Sequence, residues 1–122
     1  MQQPTFLYTI SRRDLGLAHQ AIQATHAAIE HAYLYGRQAV EHPTYIHLTA
    51  SNQEHLIQLQ ARLRSNGIQT AEFHESYRDW GLTAIACCLT DKYRSLLSGL
   101  PLWRLPVQGV AATTESPPGN TA

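Results

Sequence analysis

The chain has 122 residues, of which 43% are hydrophobic and 15% charged, and nine Lys+Arg balance nine Asp+Glu for a formal net charge of +0. That length fits one folded domain, and the composition excludes a disordered or collagen-like chain. No run approaches the roughly 20 apolar residues of a bilayer span, and Met1-Gln2-Gln3-Pro4 lacks the basic start of a secretory signal, so a cytoplasmic chain without membrane attachment is the expectation.

Phe6-Leu7-Tyr8-Thr9-Ile10 reads as a first strand, and Ser11-Arg12-Arg13-Asp14 with Gly16 as the polar turn that feeds a helix. From Leu17 to about Tyr35 the residues are good helix formers. Leu17, Ala21, Ala24, Ala28 and Ala32 recur at spacings of four and three, an alanine-rich stripe that predicts a helix lying close against a sheet. Gly36 is its stop. Tyr45 to Ala50 is the second strand. Ser51 or Asn52 caps a second helix whose apolar face is Leu56, Leu59 and Leu63, ended by Asn66-Gly67. Thr70–Glu75 and Leu82–Leu89 are the last two strands, the second nearly continuous in apolar residues and therefore central. Asp91 caps a short final helix closed by Gly99 and Pro101, and residues 106–122 form a Pro/Thr/Ala-rich tail after a domain spanning 1–105.

The order β-α-β-α-β-β-α places the chain in the α/β class, with a mainly parallel sheet and an antiparallel final pair. Ligands of such folds sit beyond the carboxyl ends of parallel strands. If the first and third strands are parallel, that edge brings Ser11–His19 and Glu75–Gly81 together. His19, Gln23, His26 and Glu30 share one side of the first helix. His19 lies near its N-terminal end, where free N–H groups favour anions and an imidazole can act as a base toward water. Glu75, Arg78 and Asp79 are charged groups on the facing loop, and Trp80 offers a ring for stacking.

Other chemistries are disfavoured. Seven histidines include no H-E-x-x-H pair and no Cys/His cluster at ligand spacing, so no metal is expected. Cys87 and Cys88 are neighbours on a strand, point to opposite faces and read as small buried hydrophobes. The G-x-S-x-G elbow and both glycine-rich nucleotide fingerprints are absent. A neutral chain that grips nucleic acid must use a local patch, and eight arginines against the single Lys92 suit phosphate recognition.

Asp14-Leu15-Gly16 followed by Gln23-Ala24-Thr25-His26-Ala27-Ala28 resembles the D-L-G…A-A-Q-x-x-H-A-A signature of the type II peptidyl-tRNA hydrolases. The likeness continues through Leu56 and Asn66-Gly67-Ile68-Gln69-Thr70-Ala71 to Thr83-Ala84-Ile85-Ala86, and covers residues 5 to 105 in element order. It implies a three-layer α/β/α fold with a four-stranded mixed sheet, cleavage of the ester between a peptidyl or aminoacyl group and the tRNA 3′ end, no cofactor, and a homodimer. His19 stands where that family has its active-site lysine. Glu75-Ser76-Tyr77-Arg78-Asp79 stands in place of D-A-G-R-T, so the sequence is similar to the divergent members of the superfamily.

On this resemblance His19 or Glu75 activates water, Gln23 fixes the substrate carbonyl, and the N–H groups of the first helix hold the oxyanion. Arg12, Arg13 and Arg78 meet the tRNA end, with Asp14, His26, Asp79 and Thr83 lining the substrate. Two rival readings keep the fold and change the role: an inactive accessory or binding module, or a hydrolase or lyase of a small amide or ester.

Overall fold

Residues 5–36, 43–76 and 78–105 are described by a computed structural model. Its elements are β1 (Thr5–Arg12), α1 (Leu17–Tyr35), β2 (Thr44–Ala50), α2 (Gln53–Ser65), β3 (Thr70–Glu75), β4 (Gly81–Thr90) and a closing 3-10 helix (Asp91–Leu97). The tail 106–122 and Tyr77 lie outside the described residues.

One four-stranded sheet runs in the order β2-β1-β4-β3. It is mixed rather than mainly parallel: β1 and β2 are parallel, while β4 runs antiparallel to both β1 and β3. The reason is local, because β3 and β4 form a hairpin, and this hairpin inserts its second strand beside β1. It follows that β1 and β3, on either side of β4, point the same way and end at one edge.

The two faces differ in composition. Alternation along β1 sends Tyr8 and Ile10 to one side and Thr9 and Ser11 to the other. On the first side lies the main core, where Ile10, Leu48, Ile85 and Leu89 pack under Leu56, Leu59 and Leu63 of α2 and under Leu97. Full burial of each such aliphatic side chain contributes about 1.5–3 kcal/mol. The second face carries Ala27 of α1 against Ala71, Ala84 and Ala86. Small residues there bring the α1 backbone close to the sheet. α1 and α2 thus cover opposite faces.

Capping follows the sequence signals. Asn52 accepts a hydrogen bond from the His55 N–H at 2.9 Å and starts α2. Gly36, with φ of 71°, ends α1. Asp91 is the first residue of the 3-10 helix rather than its cap, which is Thr90, and its carboxylate pairs with Arg94 at 3.6 Å.

Only Ala24 of the expected stripe faces the sheet in α1. The buried residues are Gln20, Gln23, Ala24, Ala27 and His31, whereas Ala32 is exposed and Leu17, Ala21 and Ala28 are half-buried. Three polar side chains take part of the expected face because each has a partner there. The Gln20 amide donates to Leu15 O at 2.5 Å, Gln23 joins the network described below, and His31 packs on Tyr35, whose hydroxyl donates to Thr70 O at 2.8 Å.

Candidate functional site

The site begins with an irregularity in the sheet. Phe73 pairs with Ala84, but His74 pairs with Leu82, so Thr83 is the extra residue of a β-bulge. Strict alternation would put Thr83 on the face of Ile85. Instead Leu82 joins Ile85 in the main core, and Thr83 turns towards α1. Its hydroxyl lies 2.6 Å from Gln23 Oε1 and 3.1 Å from Phe73 O.

Gln23 continues the chain of bonds outward, its Nε2 donating to Glu75 Oε1 at 3.1 Å. A carboxylate only accepts and a hydroxyl can donate, which fixes the orientation of the amide between them. One helical turn earlier, the His19 ring meets Trp80 edge-on with centroids 5.0 Å apart. Trp80 is carried there by a loop in which Trp80 N–H donates to Glu75 O at 3.2 Å and Asp79 takes the left-handed φ of 59°. The Arg78 guanidinium sits 5.7 Å from the Trp80 ring centroid. His19, Gln23, Glu75, Arg78 and Trp80 therefore border one region, at the edge where β1 and β3 end.

The remaining candidates divide. Arg12 pairs with Asp14 through two 3.0 Å hydrogen bonds and also donates to the carbonyls of Trp80 and Leu82. Its side chain is only 12% exposed, so Arg12 and Asp14 tie β1 to β4 rather than reaching toward a ligand. Gln23, only 2% exposed and bonded at both ends of its amide, lies beneath the surface and positions Glu75. His26 stacks on Phe73 at 4.3 Å and stays exposed, and Asp79 is exposed at the loop tip. Arg13 leans the other way, donating to Thr49 Oγ1 at 3.2 Å and Ser51 Oγ at 3.1 Å. With Arg104, Leu17, Gln20, Thr49 and Trp103 it lines a cleft of about 170 Å³ beside the start of α1.

The start of α1 has no side-chain cap at Gly16 and no acidic residue in its first turn. Its first N–H groups, which have no intrahelical acceptor, carry the partial positive charge of the helix toward this edge.

Sequence reasoning missed three contributors. Gln53, at the start of α2, accepts the Leu82 N–H at 2.6 Å and lies where a Cβ on Gly81 would fall. Arg104 lines the cleft behind Arg13. His47 sits 2.8 Å from Ser11 Oγ and stacks on Trp103, and burial pushes its pKa down to about 4. Ser11 is fully buried, so this pair presents no nucleophile to a substrate. Alternation along β2 assigns His47 a face, but no sequence signal marks its partners.

Among the described residues no group of three His, Cys, Asp or Glu is placed to hold a metal. Cys87 and Cys88 are free; burial, with a smaller contribution from Cys88, pushes the first thiol up to about 12, and burial pushes the second up to about 11. No helix is long and apolar enough to cross a membrane among the described residues.

No protein-family model and no curated protein sequence matches the chain. Among solved structures, a protein of unknown function from Agrobacterium tumefaciens strain C58 is similar, with a TM-score of 0.63 and 14% identity. The match covers 83% of this chain and 98% of that one, and at this identity it shows a shared fold alone.

Proposed function

We propose that the chain is an ester hydrolase of the peptidyl-tRNA hydrolase type, acting on the bond between an aminoacyl or peptidyl group and the tRNA 3′ end. The observation that supports it most is the Thr83–Gln23–Glu75 relay, which holds a carboxylate beside the helix turn bearing His19. An imidazole is a common general base, and His19 takes the proton of the attacking water. Glu75, held as an acceptor by Gln23, orients that water. The uncapped N–H groups of α1 stabilise the oxyanion of the tetrahedral intermediate.

Trp80 provides a face for the terminal adenine with Arg78 beside it for a phosphate, and Arg13 and Arg104, at the cleft on the other side, offer partners for phosphates further along the strand. These are local contacts, which a chain with zero net charge requires. The reaction needs no metal and no cofactor in this scheme.

Purified protein mixed with N-acetylaminoacyl-tRNA should release the acyl group, and rising salt should slow release at subsaturating substrate. No release above the spontaneous rate at high enzyme would refute the reading and favour a non-catalytic module of the same fold.

A further inference from the structure

We propose that the apolar pocket beside the closing 3-10 helix binds a small organic monocarboxylate, its hydrocarbon body among leucines and its carboxylate on Arg94 and Tyr8. This inference does not depend on the esterase reading. The pocket lies on the α2 side of the sheet, with Tyr8 and Leu48, whereas His19 belongs to α1 on the opposite side.

The pocket is made by the way the chain returns to the sheet. The 3-10 helix ends at Leu97, and Gly99, with a left-handed φ of 89°, turns the chain back along β2. There the Thr49 N–H donates to Pro101 O at 2.9 Å, the Trp103 N–H donates to His47 O at 2.8 Å, and Leu102 bridges Leu48. These bonds hold the returning segment in place without a ligand. Between it and the sheet remains a cavity of about 450 Å³, with Ile46, Leu48, Leu97, Leu100 and Leu102 as its apolar walls. Small-molecule sites ordinarily measure roughly 300–1,000 Å³.

Two polar lining residues, Tyr8 and Arg94, stand together. The Arg94 guanidinium lies over the Phe6 ring, 3.9 Å from its centroid, and Nε donates to Tyr8 Oη at 2.8 Å. Nη1 is 3.6 Å from Asp91 Oδ1. Among the described residues nothing accepts from Nη2, and nothing accepts the proton of Tyr8 Oη. Tyr8 is only 4% exposed, and a phenol so buried ordinarily has an acceptor for its proton. In the planar guanidinium Nη2 and Nε share one edge, so an Nη2–H and the Tyr8 O–H can close on the two oxygens of one carboxylate.

Charge and donor number select the ligand class. Arg94 repels a cation. A phosphate brings a further oxygen and up to two negative charges, whereas Asp91 already offsets part of the guanidinium charge and the remaining walls are hydrocarbon. A carboxylate brings one charge and two acceptor atoms, matching the two unused donors. An alkyl or aryl body of about eight carbons then faces the leucines and fits within the cavity.

Titration of the full chain with sodium octanoate, read by calorimetry and by amide chemical shifts, tests this. Binding should saturate at one equivalent with a Kd of about 1 mM or below, and the shifts should centre on residues 46–48 and 94–102. Arg94→Met should weaken binding about tenfold or more, and Tyr8→Phe about threefold or more. Octanamide, which keeps the shape and loses the charge, should bind the wild type about tenfold more weakly, a comparison that requires no variant to fold. Lys92→Met removes an exposed cation of the same 3-10 helix and should bind octanoate like the wild type.

No saturable binding overturns the proposal. So does equal weakening by Lys92→Met, or equal affinity for octanamide. Shifts centred on His19 and the β3–β4 loop overturn it by assigning octanoate to the other face. A chain that ignores octanoate and instead sediments with neutral phosphatidylcholine vesicles overturns it in favour of a lipid surface.

Discussion

Gln23 and Thr83, sixty residues apart, share a 2.6 Å hydrogen bond because β4 carries one residue more than β3 opposite Phe73. Without that bulge Thr83 would enter the main core, and Glu75 would lose the amide that orients it. Both side chains are almost fully buried, so removing either hydroxyl or amide strands the other polar group. Thr83→Val is therefore expected to cost about 1–3 kcal/mol, whereas Thr83→Ser retains most of the stability. Urea titrations of the three proteins check the order.

The β3–β4 connection and the first residue of β4 hold two left-handed residues with opposite prospects. Gly81, with φ of 74°, lies against Gln53, which binds the Leu82 N–H. Gly81→Ala should destabilise by about 2 kcal/mol, from backbone strain of 1–2 kcal/mol with displacement of Gln53 added to it. Asp79 is exposed at φ 59°, so Asp79→Gly should be neutral or stabilising by up to about 1 kcal/mol. Thermal unfolding of the two variants should shift in opposite directions or, at the least, separate clearly.

Stability should fall in acid partly through His47. Burial lowers its pKa to about 4 in the folded chain, below the roughly 6.5 of an unfolded imidazole. Between those values the unfolded chain binds the extra proton, so stability rises with pH there. The contribution is fully present above about pH 6.5 and is lost as pH falls towards 4. Burial lowers the pKa of His31 as well, which acts in the same direction. In His47→Gln the denaturant midpoint should depend less steeply on pH across this window than in the wild type.

The two cysteines offer a check on packing. With thiol pKa values pushed up to about 12 and about 11, neither is a thiolate at neutral pH. Cys87 is buried and Cys88 half-buried. A disulfide reagent should modify Cys88 slowly, Cys87 more slowly still, and both at once after denaturation.

Much of the fold was legible because it rests on local signals. Asn52 capping α2, Gly36 and Asn66-Gly67 stopping helices, and the apolar run of β4 at the centre of the sheet all follow from residue type and spacing. The juxtaposition of the segment after β1 with the β3–β4 loop also followed, because both strands end at one edge. The buried face of α1 was not legible. Gln20, Gln23 and His31 look solvent-facing until their partners are known, and those partners are a loop carbonyl, a threonine turned by a bulge and, for His31, a tyrosine of the same helix anchored to β3. Nor could sequence foresee that Arg12 would spend its guanidinium on Asp14 and two carbonyls, since the Trp80 and Leu82 oxygens reach it only through the β1–β4 pairing. Of the alanines that suggested a sheet contact, Ala24 makes it, while Ala21, Ala28 and Ala32 lie toward the exposed side of the helix.

Single-turnover release of the acyl group from N-acetylaminoacyl-tRNA, run on wild type, His19→Ala and Glu75→Ala, tests the proposed chemistry most directly. Each substitution should slow release by about 10²-fold or more while leaving the fold intact. Equal rates in all three proteins would contradict the assignment of His19 and Glu75 as the groups that deliver water to the ester.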